Sequence, residues 1–138
     1  MNPVVPFDPS LHLLDKVLDL RASKQKVISS NIANAETPGY SAAKFEFETQ
    51  LREAIGKGEG LQMQKSHPSH ISLSANNLQQ VNGNIIRTPD KTGIGDENSV
   101  DVNHEMIDLS KNQILYETTA KLLRKKLSVL KYAVSDGK

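Results

Sequence analysis

The sequence NIANAETPGY, residues 31–40, marks the point at which a long helix must end. Pro38 disfavours the α conformation for the residue before it, so a helix that reaches this stretch stops by Thr37. Gly39 can adopt the positive φ that the third position of a type II turn requires, and Tyr40 then folds back towards the helix. The stretch therefore predicts a helix C-terminus followed by a tight turn.

Two asparagines precede this turn on one face of the helix. Asn31 and Asn34 are three residues apart, and a side-chain amide on a buried seam lowers stability but fixes the register of two packed helices. Ala33 and Ala35 allow a second helix to approach closely. The same residues are also typical of a helix that frays through Asn34 into the turn, and the residue types leave both interpretations open.

Upstream of the turn, apolar residues recur every three or four positions, which predicts one amphipathic helix over residues 10–36 after an extended lead over residues 1–9. Asp8 or Ser10 can cap the free N–H groups, and Pro9 suits a position at or just before the first turn. The stripe consists of Leu11, Leu14, Leu18, Ile28, Ile32 and Ala35, with Arg21 and Gln25 in the intervening slots.

The C-terminal segment repeats this periodicity without a proline or glycine, which predicts a second helix over residues 102–135. A helix of this length spans about 50 Å, so it needs a partner helix to cover its apolar side. Its stripe consists of Val102, Met106, Leu109, Gln113, Tyr116, Ala120, Leu123, Leu127, Leu130 and Val134. The predicted fold is mainly α, with long N- and C-terminal helices that pair as a coiled coil and a short irregular, β-containing middle over residues 37–101.

Within the middle, only short elements are predicted. Phe45 and Phe47 indicate a strand that leads into a short helix over residues 48–55. Short strands are also predicted at Ile71–Leu73 and Asn84–Arg87, and residues 88–98 are typical of an exposed loop.

Composition limits the classes of function. The chain has 138 residues, of which 37% are hydrophobic and 4% aromatic, and its net charge is +1. This is a lean core for one domain, so a self-sufficient enzyme is disfavoured. The absence of cysteine excludes disulfides, thiolate metal sites and a cysteine nucleophile. With no long apolar run and no secretory pattern at the start, a soluble chain that avoids the general export route is expected.

Residues that could carry chemistry do not form a motif. His67, His70 and the pair His104-Glu105 could in principle bind zinc, but Pro68 opposes the helix that would aim two imidazoles at one ion, and surface histidines are the favoured interpretation. No catalytic triad, phosphate-binding glycine loop or paired-carboxylate motif is evident. We therefore expect no catalytic residue, cofactor, metal or small-molecule substrate.

Charge is distributed unevenly along the C-terminal helix. Five bases stand after Thr118 without an acid, and six acids precede or begin the helix. Nucleic-acid binding and head-to-tail contact between subunits are two possible interpretations. The favoured one is a solvated helix face that complements the helix dipole, so no nucleic-acid partner is expected. The bases are Lys121, Arg124, Lys125, Lys126 and Lys131, and the acids are Asp90, Asp96, Glu97, Asp101, Glu105 and Asp108.

Two separated motifs resemble one known family. Residues 31–40 are similar to the N-terminal signature of bacterial flagellar rod and hook proteins, in which an Asn-Ile-Ala-Asn-Ala helix end precedes a Pro-Gly-Tyr turn. Residues 98–106, followed by Asn112 and Tyr116, resemble the start of the family's C-terminal helix. The short middle matches the short proximal rod proteins, and the uninterrupted Thr37–Tyr40 favours one of their two types over the type that carries extra residues there.

The resemblance implies a structural subunit of the flagellar rod and no reaction. It implies self-association in the rod, other rod proteins and the rod-base adaptor as partners, and export without a cleavable signal through the flagellar type III apparatus. It also implies termini that become helical on assembly. A cytoplasmic export chaperone or adaptor remains the alternative class.

Specific residues are expected to carry these roles. Pro38, Gly39 and Tyr40 form the turn motif, and the resemblance implies that Phe45 and Phe47 are read by the export machinery. The expected assembly interface consists of Leu14, Leu18, Ile28, Asn31, Ile32, Asn34, Leu109, Tyr116, Leu123, Leu127 and Leu130.

Overall fold

The structure is a computed structural model that describes residues 9–56, 78–92 and 95–135. Its elements are helix α1 (Pro9–Ala33), strand β1 (Ala42–Glu46), helix α2 (Glu48–Gly56), strand β2 (Asn84–Thr88) and helix α3 (Val102–Ser135). Helices α1 and α3 pack against each other, and β1 and β2 form a two-stranded antiparallel sheet. The predicted fold class, mainly α with paired terminal helices and a short β-containing middle, is confirmed. No described helix is long and apolar enough to cross a membrane.

The two long helices run in opposite directions. Arg21 of α1 contacts Asn112 of α3, and Asn31, further along α1, contacts Glu105, which comes earlier in α3. At the other end Lys126 donates a hydrogen bond to the Ser10 hydroxyl. The pair therefore has a closed end, where the turn and the sheet lie, and an open end, where α1 begins and α3 finishes.

The first helix ends before the predicted turn, three residues earlier than the predicted bound at residue 36. Regular α structure stops at Ala33, and the N–H of Asn34 is shared between the carbonyls of Ser30 and Asn31. The N–H of Tyr40 then donates to the Thr37 carbonyl, which closes a four-residue turn. Gly39 has φ of 71°, so the predicted positive φ at the third turn position is confirmed.

Helix α3 begins with a side-chain cap. The Asp101 carboxylate accepts the N–H of His104 at 3.1 Å, and the Asp101 carbonyl accepts the N–H of Glu105 at 2.9 Å. An aspartate at this position satisfies backbone donors that have no partner within the helix and also suits the positive end of the helix dipole. The helix then continues for 34 residues.

The core is small and lies against the middle of α1. Leu20 packs with Phe45, Phe47 and Val81, and the rings of the two phenylalanines lie 5.8 Å apart. In β1, Ala43 and Phe45 are buried and alternate with exposed Lys44 and Glu46. This alternation is the pattern of a strand with one covered face. Among the described residues, the lean composition thus supports one compact cluster.

The other predicted elements of the middle have different outcomes. A strand at residues 84–87 and a short helix after Phe47 are confirmed as β2 and α2. Every residue of β2 is exposed, because the sheet has only two strands and β2 lies at the outside. The strand predicted at Ile71–Leu73 lies outside the described residues, as do His67 and His70.

Candidate assembly interface

The side chain of Asn31 joins three elements at the closed end. Its Oδ1 accepts the Ala43 N–H at 2.9 Å, and its Nδ2 donates to the Ala43 carbonyl at 2.6 Å. The same Nδ2 donates to Glu105 of α3 at 2.9 Å, and the Tyr40 hydroxyl donates to Oδ1 at 3.3 Å. Asn31 is 1% exposed. Its side-chain amide pairs with the backbone of Ala43 as a neighbouring strand would, and it thereby connects both β1 and α3 to α1.

A second asparagine holds the end of α1 against the loop before α3. The Nδ2 of Asn98 donates to the carbonyls of Asn34, Ala35 and Thr37, at 2.9, 2.9 and 2.8 Å. These carbonyls lie beyond the last complete turn and have lost their helical partners, so a side-chain donor stabilises them. Within the part of the chain that the structure describes, the side chain of Asn34 bonds only to nearby groups, the Ser30 carbonyl and the Thr37 hydroxyl.

Ser99 extends this connection to both strands. Its hydroxyl donates to the Thr88 carbonyl at 2.6 Å and accepts the Ala42 N–H at 2.8 Å. Its own N–H donates to the Tyr40 carbonyl. The two sequence motifs, residues 31–40 and 98–106, therefore meet in space. Asn98 and Ser99 were not among the predicted site residues, although their residue types are those that form such backbone contacts.

The seam between α1 and α3 is polar at its centre. Asn112 is 2% exposed; its amide donates to the Arg21 carbonyl at 3.0 Å and to Gln25 at 3.3 Å, and its Oδ1 accepts a hydrogen bond from Arg21. Thr119, two turns further on, is the other buried residue of α3. The only buried side chains that α3 contributes among the described residues are therefore polar.

This geometry corrects the predicted seam. The stripe that contains Leu109, Tyr116 and Leu123 was expected to face α1, but α3 is turned so that Asn112 and Thr119 lie at the centre. Arg21 and Gln25 of α1 explain the difference, because an apolar residue opposite them would leave buried polar groups without partners. The predicted stripe consequently lies along one edge of the seam.

The predicted interface residues separate into two groups. Those of α1 lie in or beside the seam and the core, whereas several of α3 remain on the surface. Ile28 and Asn31 are buried, Leu14, Leu18, Ile32, Asn34, Leu109 and Leu123 are partly buried, and Tyr116, Leu127 and Leu130 are exposed.

A second apolar stripe on α3 was missed. It could have been found by testing every phase of the 3.6-residue period instead of the most regular one. Leu115, Leu122 and Val129 lie on the other edge of the seam, and Ile107 and Ile114 lie further round the helix; all five are exposed. Helix α3 therefore presents apolar residues to solvent on both sides of a polar seam.

At the open end this second stripe borders a groove. Leu13 and Leu14 of α1 form one wall, and Leu122 and Val129 of α3 form the other. The groove has a volume of about 520 Å³. The cluster around Phe45 and Phe47 takes Leu20 from α1, so of the described α1 residues before it only Leu11 is buried at this end, where it lines the groove.

Phe45 and Phe47, the residues expected to be read during export, belong to the core. They are 6% and 1% exposed, and Arg21 and Lys24 lie over the Phe47 ring at 5.5 and 5.6 Å. A receptor can reach these rings only when the chain is unfolded. Their role in export remains a prediction.

Two carboxylates near the interface have shifted pKa values. Burial raises the pKa of Glu105, and Asp108 and Asp101 add to this effect, while the hydrogen bond from Asn31 and the nearby His104 oppose it. Burial would also raise the pKa of Glu48, but hydrogen bonds from Lys24 and from the backbone N–H groups of Glu48 and Phe47 outweigh burial and lower it.

Replacing Glu105 by glutamine should change the pH dependence of stability. A carboxyl whose pKa is higher in the folded state stabilises that state as the pH falls through this pKa, and the contribution is lost as the pH rises. Glutamine keeps an acceptor for Asn31 but does not titrate. The variant should be at least as stable as wild type at neutral pH, and its advantage should shrink as the pH falls towards the ordinary value of 4.5. Urea unfolding at several pH values measures this difference, and an advantage that grows on acidification would contradict the assignment.

The described residues contain no cluster of three or more histidine or acidic side chains that could hold a metal ion. The Nε2 atom of His104 lies 3.5 Å from Oδ2 of Asp108, one turn further along α3. Such a contact between residues four apart is ordinary on a helix surface.

Taken together, the fold and these surfaces define an elongated helical subunit with a small core, a polar internal seam and extensive exposed apolar surface. A family model described as "Flagella basal body rod protein" matches residues 18–40, which include the helix end, Asn31 and the turn.

Curated relatives extend the match over nearly the whole chain. Flagellar basal body rod protein FlgB of Bacillus subtilis is 32% identical over 132 residues, covering 96% of this chain and 98% of the relative. The FlgB of Yersinia ruckeri is 30% identical, covering 95% and 97%, and that of Escherichia coli is 26% identical, covering 95% and 96%. The chain belongs to the flagellar basal body rod protein family.

Proposed function

We propose that this protein is a structural subunit of the proximal flagellar rod that assembles through its two long helices and transmits torque. The observation that carries the proposal is the near-complete match to relatives named FlgB, at up to 32% identity. None of the names of these relatives describes an enzyme. The sister short rod type, FlgC, is disfavoured by the uninterrupted turn at residues 37–40.

The exposed surface of α3 supports this proposal. Solvent-facing side chains such as Ile114, which is 64% exposed, leave a large apolar area on one helix. Patches of this kind on a soluble chain are typical of surfaces that other proteins cover. In a rod, neighbouring subunits would cover them, and close-packed side chains would resist sliding under torque.

The partners and location follow from the same proposal. Other rod proteins and the rod-base adaptor would contact the exposed helix faces, and the subunit would reside in the basal body after type III export. Export of an unfolded chain is compatible with the small core, because few buried side chains oppose unfolding. Phe45 and Phe47 would be accessible to the export machinery in that state.

The test is a complementation experiment in cells that lack their own copy of the gene. Leu127→Asp places a charge on an exposed apolar position that the assembly should bury, so swimming should be lost while the protein is still made. Ser128→Asp, at the exposed neighbouring position, is the matched control and should swim.

Fractionation separates the proposal from the alternative class. A rod subunit copurifies with detergent-extracted basal bodies, whereas an export chaperone or adaptor stays in the cytosol. Recovery of the wild-type protein only in the cytosol, or normal swimming of Leu127→Asp cells, would count against the rod assignment.

A further inference from the structure

The overall net charge of +1 conceals two oppositely charged ends. Residues 118–135 carry five bases and no acid, whereas residues 84–111 carry six acids and three bases. The contacts of Ser10 with Lys126 and of Asn31 with Glu105 place these segments at the open and closed ends of the helix pair. Asp15 and Asp19 of α1 near the open end, and Lys24 and Lys26 towards the closed end, offset part of this asymmetry but do not cancel it.

The two ends are too far apart to neutralise each other. Asp101 and Arg124 are separated by 23 residues along α3, which corresponds to about 35 Å. This distance is more than three times the Debye length of about 10 Å at 0.1 M salt. Among the described residues, the ion pairs do not involve Lys121, Arg124, Lys125 or Lys131. The positive end can therefore attract a negative surface of another molecule.

The basic end also carries the apolar groove. Lys125 lines it together with Leu13, Leu14, Leu122 and Val129. A nucleic acid would match the lysines but not the apolar walls. An apolar segment with acidic flanks would match both.

The chain itself carries such a segment at its opposite end. Val102, Met106 and Ile107 are exposed at the start of α3 and lie between Asp101 and Asp108 in the sequence. Glu97 adds an exposed acid just before the helix. The apolar and acidic residues of this segment complement the apolar groove and the bases near it.

We propose that the start of α3 of one copy docks in the open-end groove of a second copy, with its apolar residues against Leu122 and Val129 and its carboxylates near Lys125 and the other bases of the open end. The contact joins two different surfaces, so it is head-to-tail and leaves one of each surface free at the ends of the assembly. It rests on the proposed function, because it names the partner that one part of the assembly interface takes.

A charge-swap experiment on the full chain tests this contact. The basic-end variant carries Arg124→Glu and Lys125→Glu, and the acidic-end variant carries Glu97→Lys and Asp108→Lys; far-ultraviolet circular dichroism verifies that each remains helical. Sedimentation equilibrium should show that each variant alone self-associates about tenfold more weakly than wild type. A mixture of the two variants should recover the lost affinity, because each supplies the charge that the other lacks.

The apolar part has a matched pair of variants. Val129→Asp, in the groove, should weaken self-association at least as much, whereas Val134→Asp, on the same helix outside the groove lining, should not. Raising the salt from about 0.1 M to about 1 M should weaken the wild-type contact, because the Debye length falls to about 3 Å.

Several outcomes overturn the inference. A wild-type chain that stays monomeric at millimolar concentration excludes a second copy as the occupant. Charge variants that associate as strongly as wild type exclude a role of the charged ends in self-association. If the wild type does not self-associate but binds anionic lipid vesicles in a way that depends on Val129, the groove is assigned to a membrane surface. Each of these results leaves basal-body copurification intact, so failure of the head-to-tail contact is distinguishable from failure of the rod assignment.

Discussion

Asn31→Ala is expected to lower the free energy of unfolding by about 3 kcal/mol, since each buried polar group left without a partner costs about 1–3 kcal/mol. The variant would leave both the N–H and the carbonyl of Ala43 unsatisfied in a site that is nearly sealed from water. It would also remove the donor that holds Glu105, so α3 would lose its tie to the closed end.

Urea unfolding followed by circular dichroism measures this loss, which is convenient because the chain has no tryptophan. Asn34→Ala is the matched control: the residue is on the same helix face, but its side chain bonds only to Ser30 and Thr37 nearby. We expect this control to cost less than about 1 kcal/mol, as surface substitutions usually do. Equal losses of free energy of unfolding in the two variants would contradict the role of Asn31 in joining α1, β1 and α3.

Gly83→Ala is expected to destabilise the protein by a similar amount, about 3 kcal/mol, through overpacking and an unfavourable backbone conformation. A Cβ at Gly83 would lie 2.3 Å from Cζ of Phe45 and 2.7 Å from its Cε2. The Phe45 ring cannot move away easily, because it is packed against Phe47 in the core. Gly83 also has φ of 68°, which an alanine adopts with strain.

Gly95→Ala separates the two causes of this effect. Gly95 has φ of 83°, but a Cβ there would meet no atom of the described residues within 4 Å. The control therefore reports backbone strain alone, about 1 kcal/mol. If both variants lose the same free energy of unfolding in urea, the close approach of residue 83 to Phe45 adds nothing to the loss. That result would contradict the packing of Gly83 against the Phe45 ring.

Asn31 and Gly83 differ in how far the sequence alone predicts their roles. The sequence offered a buried seam as one of two open interpretations for Asn31, the other being a frayed helix end. It did not indicate that Ala43 and Glu105 would be its partners, since both are brought to it from other elements. Nothing in the sequence indicated a role for Gly83, because its importance depends on the Phe45 ring that lies against it in the folded chain.

Local patterns determined the ends of the helices and the turn. Thr37-Pro38-Gly39-Tyr40 dictates its own conformation through restrictions on φ and ψ that act within a few residues. The periodicity of α3 likewise follows from helix geometry, and the two family motifs identified the class of protein. These features required no knowledge of tertiary contacts.

Tertiary structure alone decided which face of α3 meets α1. Helix α3 has apolar residues on more than one side, so hydrophobicity does not select a single face. The partly buried polar groups of Arg21 and Gln25 select the face instead, because the amide of Asn112 opposite them supplies their hydrogen-bond partners. That choice leaves the second stripe and much of the first exposed, and it is the physical reason why a chain with a small core presents so much apolar surface for other subunits to cover.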